Sequence, residues 1–118
     1  ANASIDLIFE SNLLDSLDEK IEIITAALAP LGEHPNIGDI RQCGMMLGIE
    51  LVADRTGPEF FNPDDRVGVA VCRAALKHDI IIRPLGDVIT LMPAPAMDIA
   101  TLRRLLDGVV KTINEYFK

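Results

Sequence analysis

Residues 80–93, IIIRPLGDVITLMP, constrain the fold more than any other stretch of this sequence. Three isoleucines run into Arg83, a Pro-Leu-Gly-Asp turn follows, and a second apolar run extends from Val88 to Met92. β-Branched residues on both sides of a Gly-containing turn mark a hairpin, so strands are predicted at Ile80–Arg83 and Val88–Met92. A hairpin this short is not stable by itself and needs neighbouring strands and a covering layer.

The rest of the chain supplies both. In SIDLIFE, Ile5, Ile8 and Phe9 have helical spacing but no capping residue or polar turn precedes them, so the chain is expected to begin inside a helix, as a truncated domain would. A second helix is predicted over 12–31, where Leu13, Leu17, Ile21, Ile24, Leu28 and Leu31 repeat at three or four, with Gly32 placed for a left-handed C-terminal cap. Two β runs follow, Ile37–Gln42 and Met45–Val52, with Gly44 at the bend; Gly48 inside the second implies a close backbone approach or a bulge. After the polar loop ADRTGPEFFNPDD, Asp64 or Asp65 is predicted to cap a helix with Val67, Val71, Ala74 and Ala75 on its apolar face. Asp98 is predicted to cap a last helix whose one face carries Ile99, Leu102, Leu106, Val109, Ile113 and Phe117. The order α-α-β-β-α-β-β-α implies an α+β domain: a small, mostly antiparallel sheet with its helices packed on one face. The other sheet face is expected to be covered by something outside this chain.

Composition narrows the function. The 118 residues suffice for one domain with a real core, and with no Trp, four Phe and one Tyr that core must be aliphatic. Charges interrupt every apolar run before the ~20 residues a membrane helix needs. The N-terminal stretch lacks a basic region of the secretory kind, so a cytoplasmic setting is expected. A net charge of −7, with the eleven basic residues scattered, argues against nucleic acid. Cys43 and Cys72 stand far apart without a CxxC pattern or nearby His, and read as buried or half-buried free thiols with no metal role.

No self-sufficient catalytic set is present. His34 and His78 fall in a turn and at a helix end, and there is no phosphate-binding glycine loop. Lys20, Lys77, Lys111 and Lys118 all read as solvated helix faces, not as a desolvated Schiff-base nitrogen. Asp39 and Glu50 read as structural ion-pair partners of Arg41. Arg83 has two readings. It either pairs with Asp87 across the hairpin or snorkels to water, or it is held as a planar fork for a carboxylate ligand.

HPNIGDIRQCGMMLGIELV, with RVGVAVCRAALKHDIIIRPLGDVITLMPAP after it, closely resembles the C-terminal part of class III pyridoxal-phosphate aminotransferases. The resemblance covers essentially the whole chain, and its IRPLGDVITLMP block is most similar to the biotin-biosynthesis branch of the class. It implies that the chain is the C-terminal small domain of a fold-type I aminotransferase, residues 1–118, without the large cofactor-binding domain. The implied parent reaction converts 8-amino-7-oxononanoate to 7,8-diaminononanoate with S-adenosylmethionine as amino donor, in a homodimer using pyridoxal 5'-phosphate. By the same resemblance Arg83 binds the substrate carboxylate and Arg41 is structural. This chain itself is expected to hold no catalytic residue, bind no cofactor or metal, and be inactive alone. Thr90 stands where some relatives carry an aromatic residue lining the substrate tunnel, and PAPAM departs from the commoner Pro-Pro continuation. The alternatives are the small domain of an ornithine- or 4-aminobutyrate-type class III aminotransferase, and a free-standing carboxylate-binding regulatory module.

Overall fold

A computed structural model describes residues 2–57 and 59–118; Ala1 and Pro58, the latter inside the predicted polar loop, lie outside the described residues. The elements are α1 (Asn2–Glu10), α2 (Leu17–Leu28), β1 (Ile37–Cys43), β2 (Met46–Leu51), α3 (Val67–Ala74), β3 (Arg83–Leu85), β4 (Val88–Leu91) and α4 (Ile99–Tyr116). The four strands form one antiparallel sheet in the order β1-β2-β4-β3. The predicted element order and the small antiparallel sheet with helices over one face are therefore what the chain adopts.

The core lies between that face and α2, α3 and α4. Ile49 and Ile89 are cross-strand partners and fully buried, as are Ile24, Val71, Leu102, Val109 and Ile113 from the helices. A buried aliphatic side chain contributes about 1.5–3 kcal/mol on transfer from water, so these layers supply most of the cohesion. On α4 the prediction holds in detail. Asp98 Oδ1 accepts the Thr101 N–H at 2.9 Å and its Oδ2 accepts the Thr101 hydroxyl at 2.7 Å. Those bonds to Thr101 hold the Asp98 carboxyl below the usual carboxylate range.

Several details differ from the prediction. Asn12 adopts φ +49°, so the expected helix over 12–31 begins only at Leu17. It ends in a 3-10 turn over Ala29–Glu33, because Pro30 has no N–H to continue the ladder and is tolerated only in a first turn. Gly32 sits inside that turn and is not the left-handed cap; the positive-φ glycines among the described residues are Gly44 and Gly86. The bulge lies between Ile37 and Asp39 and not at Gly48, which keeps register with Arg41 and Thr90. A Cβ on Gly48 would stand 3.2 Å from Val88 Cγ1, so close approach is its reason.

Neither Asp64 nor Asp65 caps α3. Both belong to a 3-10 turn over Pro63–Asp65, in which the Asn62 side chain accepts the Asp64 N–H. The α3 N-terminus is capped from a distance instead: the Gly68 N–H donates to Asp87 Oδ1 at 2.8 Å. The last shift concerns the hairpin, whose first strand starts at Arg83 where Ile80 was expected. Ile80 leaves the sheet to pack on α4, where a Cβ on Gly108 would meet its Cδ1 at 2.9 Å.

Candidate substrate-binding site

The sheet face turned away from the helices carries the candidate site. Arg41 pairs with Gly48, Gly48 with Thr90, and Thr90 with Arg83, so these four residues form one row across all four strands. Two guanidinium groups stand on the edge strands, with a residue lacking a side chain and a hydroxyl between them. Side chains alternate along strands, so Leu47, Ile49, Ile89 and Leu91 point into the core and this row must point out.

The two arginines differ in what holds them. Arg41 Nη1 lies 2.8 Å from Glu50 Oε2 and 3.3 Å from Asp39 Oδ2, the structural pairing expected from the sequence. The Arg83 guanidinium has no hydrogen-bond or ion-pair partner among the described residues. Asp87, its expected partner in the structural reading, is bound to the Gly68 N–H. What does hold Arg83 is its main chain: its carbonyl accepts the Thr90 hydroxyl at 3.0 Å, and Pro84 follows directly.

Arg83 is exposed, so the apolar enclosure that its sequence neighbours suggest is only half built. On one side it opens to solvent. On the other it lines a cleft of about 520 Å³ whose wall includes Ile82, Leu91, Pro93, Ala94, Met97 and Leu105. An unpaired planar cation at the edge of an aliphatic cleft can anchor one end of a long substrate, with the carboxylate on the fork and the chain along the wall.

The four lysines of this chain differ in setting. Lys77 and Lys111 are exposed helix residues, and Lys118 is exposed beyond the end of α4, not on a helix as expected. Lys20 does not lie on a solvated face as expected. It is buried, and its ammonium donates to the Pro95 carbonyl at 2.6 Å. The signal for it was present in the sequence: position 20 falls between Leu17 and Ile24 on the apolar stripe of α2. Among the described residues no cluster of three His, Cys, Asp or Glu side chains could hold a metal ion.

The thiols divide. Cys43 is exposed, contrary to expectation, because the bulge at Gly38 reverses the alternation and turns Asp39, Arg41 and Cys43 outward together. Cys72 is buried, and desolvation pushes its thiol up from 9.0 to about 11. At pH 8 such a shift leaves roughly a hundredfold less thiolate. A disulfide reagent is expected to modify one thiol promptly and the second only on unfolding. The sign also sets an alkaline limit. The unfolded thiol loses its proton first, so the Cys72 contribution to stability is intact below pH 9 and is lost progressively between pH 9 and about 11. Equal modification rates for both cysteines in the folded protein would contradict this assignment.

Residues 1–113 match the family described as Aminotransferase class-III. The adenosylmethionine-8-amino-7-oxononanoate aminotransferase of Geobacter sulfurreducens is 42% identical over 114 residues, covering 97% of this chain and 25% of that protein. The enzyme of the same name from Nitratidesulfovibrio vulgaris is 40% identical over 119 residues, covering 98% of this chain and 22% of that protein. The crystal structure of the Methanocaldococcus jannaschii adenosylmethionine-8-amino-7-oxononanoate aminotransferase superimposes with a TM-score of 0.91 at 30% identity, over 98% of this chain and 26% of that one. The chain thus spans about a quarter of the length of the relatives it matches.

Proposed function

This chain belongs to the class III aminotransferase family, and on that premise we propose that it forms the substrate-anchoring small domain of a biotin-biosynthesis aminotransferase. The complete enzyme would transfer an amino group from S-adenosylmethionine to the 7-keto carbon of 8-amino-7-oxononanoate, giving 7,8-diaminononanoate. The observation that carries this reading is the 40–42% identity, over nearly the whole chain, to proteins named for that substrate. The Arg83 fork beside an aliphatic cleft supports it, because the substrate joins a carboxylate to a long methylene chain. The homodimer and the cytoplasmic setting belong to the same reading. Among the described residues no helix is long and apolar enough to cross a membrane.

Class III aminotransferases depend on pyridoxal 5'-phosphate, which supplies the electron sink for amino transfer. On this reading none of the lysines described above anchors that cofactor, and its anchoring lysine and phosphate cradle would lie in another part of the enzyme. The role of this chain is then to bind and orient. Arg83 holds the carboxylate, and the cleft removes water from the methylene chain. The complete enzyme tests the reading: 7,8-diaminononanoate should form from 8-amino-7-oxononanoate and S-adenosylmethionine. Turnover of ornithine or 4-aminobutyrate with no such product would overturn it.

The isolated 118-residue chain makes a separate prediction. After mixing with pyridoxal phosphate and gel filtration it should keep no stoichiometric visible band. A band that borohydride fixes onto a single lysine would refute the division of labour proposed here.

A further inference from the structure

We propose that Lys20 is a positioning residue that sets the depth of the Arg83 cleft, and with it the substrate chain length the enzyme accepts. The proposal rests on the reading of Arg83 as the carboxylate anchor. Lys20 and Thr112 are the buried polar side chains among the described residues. Thr112 donates to the Gly108 carbonyl one turn back in its own helix, at 2.7 Å, and ties no two elements together. Lys20 does the opposite: from α2 it reaches Pro95, 75 positions along the chain, at 2.6 Å.

The segment it reaches has little to hold itself. Pro93 and Pro95 have no N–H to donate. Between Pro93 and Met97 the main-chain bond of the turn is that from the Met97 N–H to the Ala94 carbonyl, at 2.8 Å. The Pro95 carbonyl is held from outside, by Lys20. Pro93, Ala94 and Met97 all line the cleft that Arg83 lines, so the Lys20–Pro95 bond sets where that wall stands relative to the fork.

Stability alone does not call for a lysine here. The Lys20 side chain is buried while its bond to the Pro95 carbonyl is part-buried, so burying it costs some hydration of the ammonium, which that one bond replaces in part. Methionine has nearly the same shape and would fill the same place without that cost. What the ammonium adds is a directed bond to one carbonyl. If the fork fixes one end of the substrate and the reacting carbon the other, the wall decides which methylene count fits between them.

Single-turnover kinetics on the complete enzyme test this, comparing Lys20→Met, Lys20→Gln and Lys20→Arg with wild type. The substrates are 8-amino-7-oxononanoate and its homologues one methylene shorter and longer. Lys20→Met should raise KM for the native substrate about tenfold with kcat within about twofold, and should collapse the preference among the homologues towards one. The donor half-reaction should be unchanged. Lys20→Arg, which keeps a cationic donor, should restore most of the preference, and Lys20→Gln should fall between. Hydrogen exchange at Ala96 and Met97 should quicken in Lys20→Met. Wild-type KM and homologue preference in Lys20→Met would overturn the proposal, as would a fall in kcat alone. If Lys20→Met does not fold, an unaltered homologue preference in Lys20→Gln overturns it equally. The anchor reading fails separately, through Arg83→Ala at wild-type rates; an impaired Arg83→Ala beside a normal Lys20→Met overturns only the role of Lys20.

Discussion

Arg83→Ala in the complete enzyme is expected to lower kcat/KM for 8-amino-7-oxononanoate by tens to thousands of fold, while amino transfer from the donor proceeds as before. The guanidinium has no partner among the described residues, and the Asp87 carboxylate accepts the Gly68 N–H. Removing it should therefore leave no internal acid unpaired, and the loss should report on the substrate alone. Exposed in this chain, the fork is screened by water; the large effect requires that substrate and the rest of the enzyme close the open side of the cleft. Truncating one member of such an enclosed pair costs about 2–5 kcal/mol. Arg83→Lys should recover only part, because a point charge cannot reproduce two parallel N–H···O bonds to one carboxylate. The decisive measurement is single-turnover kinetics of each half-reaction. Wild-type rates and affinities in both would reduce Arg83 to an exposed hairpin residue, and a loss confined to the donor half-reaction would assign it to the other substrate.

Gly68→Ala is expected to be the most damaging single-methyl change among the glycines. A Cβ there would stand 2.2 Å from the Gly86 carbonyl oxygen and 3.1 Å from Asp87 Cα. Both atoms are main chain, so no side-chain rotation can relieve the clash and the β3–β4 turn must move away from α3. The shift would also break the 2.8 Å bond from the Gly68 N–H to Asp87, the one side-chain cap at the start of that helix. Overpacking and a lost cap together put the cost at roughly 2–4 kcal/mol, a fall in Tm on the order of 10 °C for a domain of this size. Gly32→Ala is the control, since nothing lies within 4 Å of where its added methyl would stand and its φ is not positive. It should fall within about 0.5 kcal/mol of wild type. Chemical denaturation of the three proteins checks both values. A Gly68→Ala midpoint equal to that of Gly32→Ala would mean that α3 and the hairpin turn are not in rigid contact.

The same hairpin turn thus joins the two effects. Gly86 takes φ +61° in the two-residue loop between Leu85 and Val88, which leaves the Asp87 carboxylate directed at α3 and the Arg83 side chain on the opposite, outer face. The turn could be read from the Gly-Asp dipeptide, but the target of its carboxylate could not. Asp87 and Gly68 are 19 positions apart, and no local pattern distinguishes an aspartate that pairs with a neighbouring arginine from one that caps a distant helix.

The sequence by itself determined what depends on near neighbours along the chain. Apolar spacing of three and four is enough for α4, and an aspartate three residues before Thr101 is enough for its cap. A glycine between two β runs is enough for the β1–β2 turn, and Arg83 can be singled out as a fork followed by proline. Tertiary structure alone decided whatever needed two distant segments to meet. The β1-β2-β4-β3 order placed Arg41 and Arg83 at opposite ends of one row. A single extra residue at the Gly38 bulge reversed the facing of the strand after it, and so exposed Cys43. Packing of α2 against the segment before α4 turned Lys20 from a surface residue into a buried tether. The physical reason is common to all three. Propensity and capping are governed by bonds that span about four residues, whereas burial and the partner of a charged group depend on what folds over them from far along the chain.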